Sequence, residues 1–318
     1  MQSQSRLQYF PVSFFAMIMG LAGLSIAWEK AQTTLNLPLH LDLALAPFTG
    51  LVFAILLTAY GIKLWRFPKA VRQELQHPVK LNFFPTLSIS LVLLSIATLQ
   101  MAPGLAHLLW LAGTSLHLIF TLYVMNVWIH HEKFEIHHMN PAWFIPLVGN
   151  VLIPISGSTL GYGELSWFFF SIGMTFWLVL MSIIFNRVFF HTPLDDRMMP
   201  TLFILIAPPA VGFISYIRLT GGLDAFAHVL YYSGLFLTLL LLTQFRRFAK
   251  LSFALSWWAY SFPLAAITIA TLTMFELTGN KGFVVIGWSL LSLLTLVVVF
   301  LLYRTLKAVG AGKICQAD

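Results

Sequence analysis

Apolar residues along this chain neither alternate nor fall into narrow stripes. They run unbroken for about 20 residues at a time, the length an α-helix needs to cross roughly 30 Å of hydrocarbon. A transmembrane β-strand would instead alternate over about 10 residues. Cutting at the polar and Gly/Pro-bearing breaks predicts ten spans, approximately 10–28, 43–65, 84–101, 105–129, 142–157, 164–190, 200–218, 223–245, 253–275 and 282–304. The expected fold is an all-α polytopic membrane protein, with residues 1–318 forming one transmembrane domain.

The breaks alternate in character. Those after spans 3, 5, 7 and 9 are short and carry Pro103-Gly104, Gly161-Tyr162-Gly163, Gly221-Gly222, and Gly279 with Gly282. The repeating unit is therefore a helical hairpin, and prolines mark it: Pro11, Pro85, Pro146, Pro208 and Pro263 fall in odd spans. Even-span glycines keep step, with Gly113, Gly173, Gly234 and Gly287 lying 28, 27, 26 and 24 residues after their hairpin's proline. The first hairpin fits worse, with 39 residues from Pro11 to Gly50. Chance placement of prolines is the competing explanation. A repeat has a physical consequence, because proline removes an intrahelical hydrogen bond and kinks the helix. In lipid the freed carbonyl then needs protein or water beside it. Five kinked odd spans belong inside and five straight ones outside, a quasi-five-fold ring of hairpins around a central pore.

Composition narrows the class. Of the residues, 59% are hydrophobic and 9% charged, whereas soluble domains carry about 25% charged residues. A net charge of +7 would suggest nucleic acid in a soluble protein, but the positions of the charges assign it to topology. Fifteen Lys and Arg fall on the side of the N-terminus, the 2–3, 4–5, 6–7 and 8–9 connections and the C-terminus. Only Lys30, Arg218 and Lys281 fall on the other, while the acidic residues divide six and five. This is the positive-inside pattern. It predicts both termini in the cytoplasm of a multi-pass protein of the cytoplasmic membrane, with the bilayer as partner and no nucleic acid.

No Asp, Glu, Lys or Arg is expected in the middle of a span, although intramembrane charges are what pumps and ion-coupled carriers ordinarily use. A pathway here would be lined by aliphatic, aromatic and hydroxyl side chains, which favours passive conduction. His130-His131-Glu132 and His137-His138 form a dense loop cluster resembling one histidine box of a membrane di-iron enzyme. Such an enzyme needs several boxes converging on one site, so no metal is assigned to this cluster. His107 and His117 stand ten residues apart on one helix, roughly 15 Å, too far to share a metal. The single cysteine, Cys315, offers neither an internal disulfide nor a thiolate cluster. No cofactor and no enzymatic activity are expected.

The most informative motif lies in span 9: Trp257-Trp258-Ala259-Tyr260-Ser261-Phe262-Pro263-Leu264. The residue before a proline is restrained away from helical geometry, so a bulky Phe262 there can be thrust into a lumen. An ordinary packed aromatic is the alternative. This run, with Phe10-Pro11-Val12-Ser13 opening span 1 and Gly20 beyond it, resembles the tellurite-resistance/dicarboxylate transporter family, to which the plant slow anion channels of guard cells are similar. The resemblance covers essentially the whole chain. It implies ten helices in a ring of hairpins, a homotrimer with one pore per subunit, conduction of small inorganic or organic anions, and a pore occluded by Phe262 between helices kinked at the five prolines. Two other functions stay open at this stage: an ion-coupled carrier for dicarboxylates or tellurite-like oxyanions, and a membrane metalloenzyme using the loop histidines.

Overall fold

The computed structural model describes residues 6–130 and 134–316, and among them every regular element is helical. Eleven helical segments matter here: α1 Val12–Leu35, α2 Asp42–Arg66, α3 Pro68–Gln76, α4 Lys80–Thr98, α5 Pro103–His130, α6 Pro141–Gly157, α7 Gly163–Phe190, α8 Met199–Thr220, α9 Ala225–Leu242, α10 Leu255–Thr278 and α11 Gly282–Gly310. Nine of these, all but α3 and α6, are long and apolar enough to cross a membrane. They overlap nine of the ten predicted spans, with α1 running to Leu35 and α11 to Gly310 where the sequence predicts ends at 28 and 304. The remaining span, 142–157, is α6, which is short and interrupted. It alternates 3₁₀ turns (Pro141–Trp143, Gly149–Leu152) with single α turns (Phe144–Val148, Ile153–Gly157). Seven 3₁₀ residues at about 2.0 Å each and ten α residues at about 1.5 Å reach roughly 29 Å.

The segments divide into two layers. In the most apolar stretch of α1, α4, α8 and α10, 67–83% of residues are buried, against 28–39% for α2, α5, α7, α9 and α11. Every residue of α6 except Ile155 is buried. Inner segments pack on one another in succession: α1 on α4, α4 on α6, α6 on α8, α8 on α10, and α10 back on α1. Each outer helix packs on the inner segment that precedes it among the spans. The outer helices turn large apolar side chains to the surroundings, Leu108, Val285 and Leu296 being 66–69% exposed. A face of that kind is covered by lipid or by another protein surface rather than by water.

Glycines set the seam between the layers. A Cβ on Gly113 would stand 2.9 Å from Val92, one on Gly173 2.2 Å from Val151, and one on Gly287 2.9 Å from Leu272. On Gly234 it would lie 3.4 Å from the Ala210 nitrogen. Each glycine thus meets the inner segment of its own hairpin, so the even-span glycines are sites of close backbone approach. Gly50 has nothing within 4 Å, which accounts for the poor fit of the first hairpin to the spacing.

The prolines sit where 3₁₀ turns open into α-helix. Pro85 is the first α residue after Lys80–Phe83, Pro208 the second after Met199–Ile206, and Pro263 the third after Leu255–Tyr260. Pro11 precedes the Val12–Phe14 turn that leads into α1, and Pro146 lies inside α6. At the first turn of a helix the missing N–H costs nothing. Side chains supply the donors that α6 lacks. Thr121 Oγ1 donates to the Pro146 carbonyl at 2.8 Å, Trp110 Nε1 to Ile153 at 3.0 Å, and Asn150 Nδ2 to Leu147 at 2.7 Å. Ser215 Oγ donates to the Val151 carbonyl. A buried, irregular backbone is tolerated in a membrane protein on this condition.

One element has no counterpart among the predicted spans. The connection after span 2 contains α3, whose Val71 and Glu74 are buried while Lys69, Arg72 and Gln73 are exposed.

Candidate functional site

A cavity of about 1330 Å³ opens at the end of the molecule that carries the Lys/Arg-rich connections. All five inner segments line it: Ala16 and Met19 of α1, Thr86 and Ile89 of α4, Val148 and Gly149 of α6, Ile204 and Val211 of α8, Ala259 and Phe262 of α10. No lining residue lies beyond Met19, Ile89, Leu152, Val211 and Pro263 along these segments, so the cavity stops at the level of Phe262. Its deep wall holds no charged side chain among the described residues. Of the five predicted prolines, Pro11, Pro208 and Pro263 line the cavity, while Pro85 and Pro146 are buried behind its wall.

Phe262 is 8% exposed and rests against α1. A Cβ on Gly23 would lie 3.5 Å from its ring, and one on Gly20 would run into Ser261. The turn that carries the ring is fixed from both sides. Ser261 Oγ donates to the Trp258 carbonyl at 2.6 Å, and the Trp258 indole N–H donates to Thr305 Oγ1 of α11 at 3.0 Å.

The mouth is basic. Lys80, Arg197, Arg304, Lys307 and Lys313 line it, together with the buried Lys63. The carboxylate among the lining residues is Glu74, and it is already engaged: Lys63 Nζ donates to Glu74 Oε2 at 2.8 Å and the Tyr60 hydroxyl to the same oxygen at 2.9 Å. Lys63 also donates to the Phe10 carbonyl at 2.8 Å. This knot ties α2, α3 and the N-terminal segment together at the rim. In the sequence Lys63 counts only as a topology charge. Its burial depends on partners 11 and 53 residues away, which spacing on one helix does not signal. The C-terminal segment also reaches the rim, where burial pushes the Cys315 thiol up against the opposing pull of Lys63 and Arg6.

The histidines scatter. His117 is buried, with Nδ1 2.9 Å from Ser88 Oγ, and His107 Nε2 lies 2.8 Å from the Tyr162 hydroxyl. His130 pairs with its own helix at the Asn126 carbonyl, and His137 lies 3.2 Å from Glu135. Burial and the neighbouring His137 hold His138 below the usual imidazole range, against the opposing charge of Glu135. His131 and Glu132 lie outside the described residues, and among those described no three His, Cys, Asp or Glu side chains gather as a metal site would require.

Sequence comparison accords with this arrangement. The S-type anion channel SLAH3 of Arabidopsis thaliana is 28% identical over 304 residues, 93% of this chain and 48% of the plant protein. An uncharacterized transporter of Methanocaldococcus jannaschii is 27% identical, with 98% of each chain covered. The tellurite resistance protein TehA homolog of Haemophilus influenzae is 27% identical over 81% of this chain and 79% of its own. The chain thus spans about half the length of its plant relative and nearly all of the archaeal one. Residues 9–306 match the SLAC1 family, described as voltage-dependent anion channels, and the chain belongs to that family.

Proposed function

We propose that this protein is an anion-selective channel of the cytoplasmic membrane, with the pathway running between the five inner segments and closed by the Phe262 ring. In this reading α6 is the tenth span, the five hairpins form a quasi-five-fold ring, both termini face the cytoplasm, and the protein assembles as a homotrimer with one pathway per subunit. The observation that carries it is the cavity: five inner segments contribute to one uncharged wall, the wall ends at Phe262, and the mouth is basic. Cations at the rim raise the local anion concentration by their field. The wall beyond carries no fixed charge to trap the ion, so selectivity follows the cost of stripping its water, and weakly hydrated anions pass more easily. Relatives described as anion channels support the reading, as does the family itself.

Phe262→Ala tests it in reconstituted bilayers. If the ring is the plug, alanine removes it without touching any charge, and anion conductance rises several-fold with anion-over-cation selectivity kept. If Phe262 only packs, the variant loses about 3–5 kcal/mol of stability instead. A well-folded alanine variant that conducts no better than the unaltered protein sinks the gate.

A further inference from the structure

Topology accounts for the side on which the mouth cations lie but leaves open what four of them bind. Arg197, Arg304, Lys307 and Lys313 come from three places in the chain, all line the one cavity, and none is ion-paired among the described residues. Asp195 and Asp196, next to Arg197 in sequence, are not part of the lining, and Glu74 is held by Lys63 and Tyr60. Arg304 is the most pre-arranged of the four. Its guanidinium lies 5.2 Å from the Phe253 ring centre and 5.6 Å from that of Phe300, and Lys307 lies 6.0 Å from the Tyr303 ring. A guanidinium resting on aromatic faces keeps its edge donors free, in a fork that matches phosphate oxygens. The cavity is larger than the roughly 300–1,000 Å³ typical of a small-molecule site. Beyond the mouth it loses all charge and ends at a phenyl ring.

We infer that the mouth is a binding site for a multivalent phosphate-bearing anion, the class that includes nucleoside triphosphates and inorganic polyphosphate. A single monovalent anion leaves most of these cations without an acceptor, whereas a chain of phosphates can engage several at once. Such a ligand is held by the rim and cannot follow small anions past Phe262, so it acts as a blocker from the basic side. The blocking consequence rests on the channel reading. The binding itself does not.

Two measurements test the inference. Calorimetric titration of the purified full-length protein in detergent compares tripolyphosphate, ATP and AMP at low and high salt. Tripolyphosphate and ATP should bind, AMP about tenfold more weakly or worse, and all should weaken with salt. ATP binding tighter than tripolyphosphate assigns the base to the aromatic faces of Phe253, Phe300 and Tyr303; equal affinities assign the whole interaction to phosphate. The double variant Arg304→Gln, Lys307→Gln should lose about tenfold or more in affinity for tripolyphosphate. A charge-retaining Arg304→Lys, Lys307→Arg variant should recover part of it. In reconstituted bilayers, tripolyphosphate on the basic side should reduce the current of Phe262→Ala, and on the opposite side should not. Absence of tripolyphosphate and ATP binding at low salt, or an affinity indifferent to the double substitution, overturns the inference. Binding in a protein that carries no anion current would overturn the channel reading and leave the site standing.

Discussion

Helices α10 and α11 form one hairpin and run side by side, yet the less apolar of the two is the one that is buried. In α10, 83% of the most apolar stretch is inside, against 33% in α11, and α11 has the higher hydropathy. In water this order would be reversed. In a bilayer the solvent is itself apolar, so a hydroxyl or an irregular backbone turn goes inward and an all-aliphatic face goes outward. The buried hydroxyls of α10 illustrate it: Ser261, Thr268 and Thr271 each donate to a backbone carbonyl of their own segment, and Thr271 also meets the Tyr231 hydroxyl at 3.2 Å. In α11 Thr295 and Thr305 likewise donate to carbonyls of their own helix, and as acceptors they serve the neighbours, Thr305 receiving the Trp258 N–H and Thr295 that of Trp28 at 3.2 Å. The cavity is consequently lined by the more buried layer, the one that turns hydroxyls and irregular backbone inward.

The sharpest way to break this contrast is at Trp258. Its ring is 2% exposed, packs where Gly20 has no side chain, and holds the turn that carries Phe262. Trp258→Ala removes a large buried aromatic and should cost about 3–5 kcal/mol, read as earlier unfolding of the detergent-solubilised protein. A loss below about 1 kcal/mol would mean that the inner layer is not close-packed there.

Next comes the seam. Gly173→Ala places a methyl group 2.2 Å from Val151 Cγ2 and 3.0 Å from its backbone nitrogen, and α6, crowded on every side, has no room to retreat. The expected cost is about 1–3 kcal/mol. The same change at Gly50, also on an outer helix, meets nothing within 4 Å and should be neutral or gain up to about 1 kcal/mol from helix propensity. Equal effects at the two sites would erase the distinction between a seam glycine and a free one.

These two substitutions also mark where sequence stops informing. The spacing of Gly113, Gly173, Gly234 and Gly287 after the prolines was legible, because close approach of two helices needs glycine at a fixed depth in each hairpin. That Gly50 lies outside the set showed as a misfit of length. The helices themselves were legible because hydrocarbon thickness sets their length. The 3₁₀ openings of the inner segments were not: a proline in an apolar run signals a lost hydrogen bond, but whether the chain kinks in place or changes helix type depends on donors such as Thr121 and Trp110 from another helix. Helix α3 was invisible because nine residues with four charged or amide-bearing side chains on one face resemble a polar loop, and its inward face, Val71 and Glu74, acquires meaning only against α2. The cavity mouth was partly legible as charge. That Arg197, Arg304, Lys307 and Lys313 carry no ion pair among the described residues was not, since pairing is a property of tertiary neighbours.

A smaller effect is expected at Thr305. Thr305→Val keeps the shape of the side chain but removes the acceptor for the buried Trp258 N–H. Leaving that donor unsatisfied should cost about 1–3 kcal/mol, less than losing the ring itself. Conductance of Thr305→Val is the more telling reading, because the hydrogen bond reaches the turn that carries Phe262, the proposed gate, from behind. A change in open time with little change in stability would separate positioning from packing.

The smallest effect is expected on the lipid face. Leu296 is 69% exposed in the single chain, and Leu296→Ala there should cost only roughly 0.5 kcal/mol, the difference lipid makes between the two side chains. The protein should fold, insert and conduct as before, measured by the same unfolding and bilayer assays. This is where the contrast between layers can be sharpened, because exposure in one chain does not distinguish a lipid neighbour from another subunit. Should Leu296→Ala cost about 2 kcal/mol or more, or shift the proposed trimer toward monomer in detergent, the outer face of α11 is a packed protein surface of the kind truncated in a core. The outer layer would then divide into lipid-facing and subunit-facing helices, and α11 would belong to the second group.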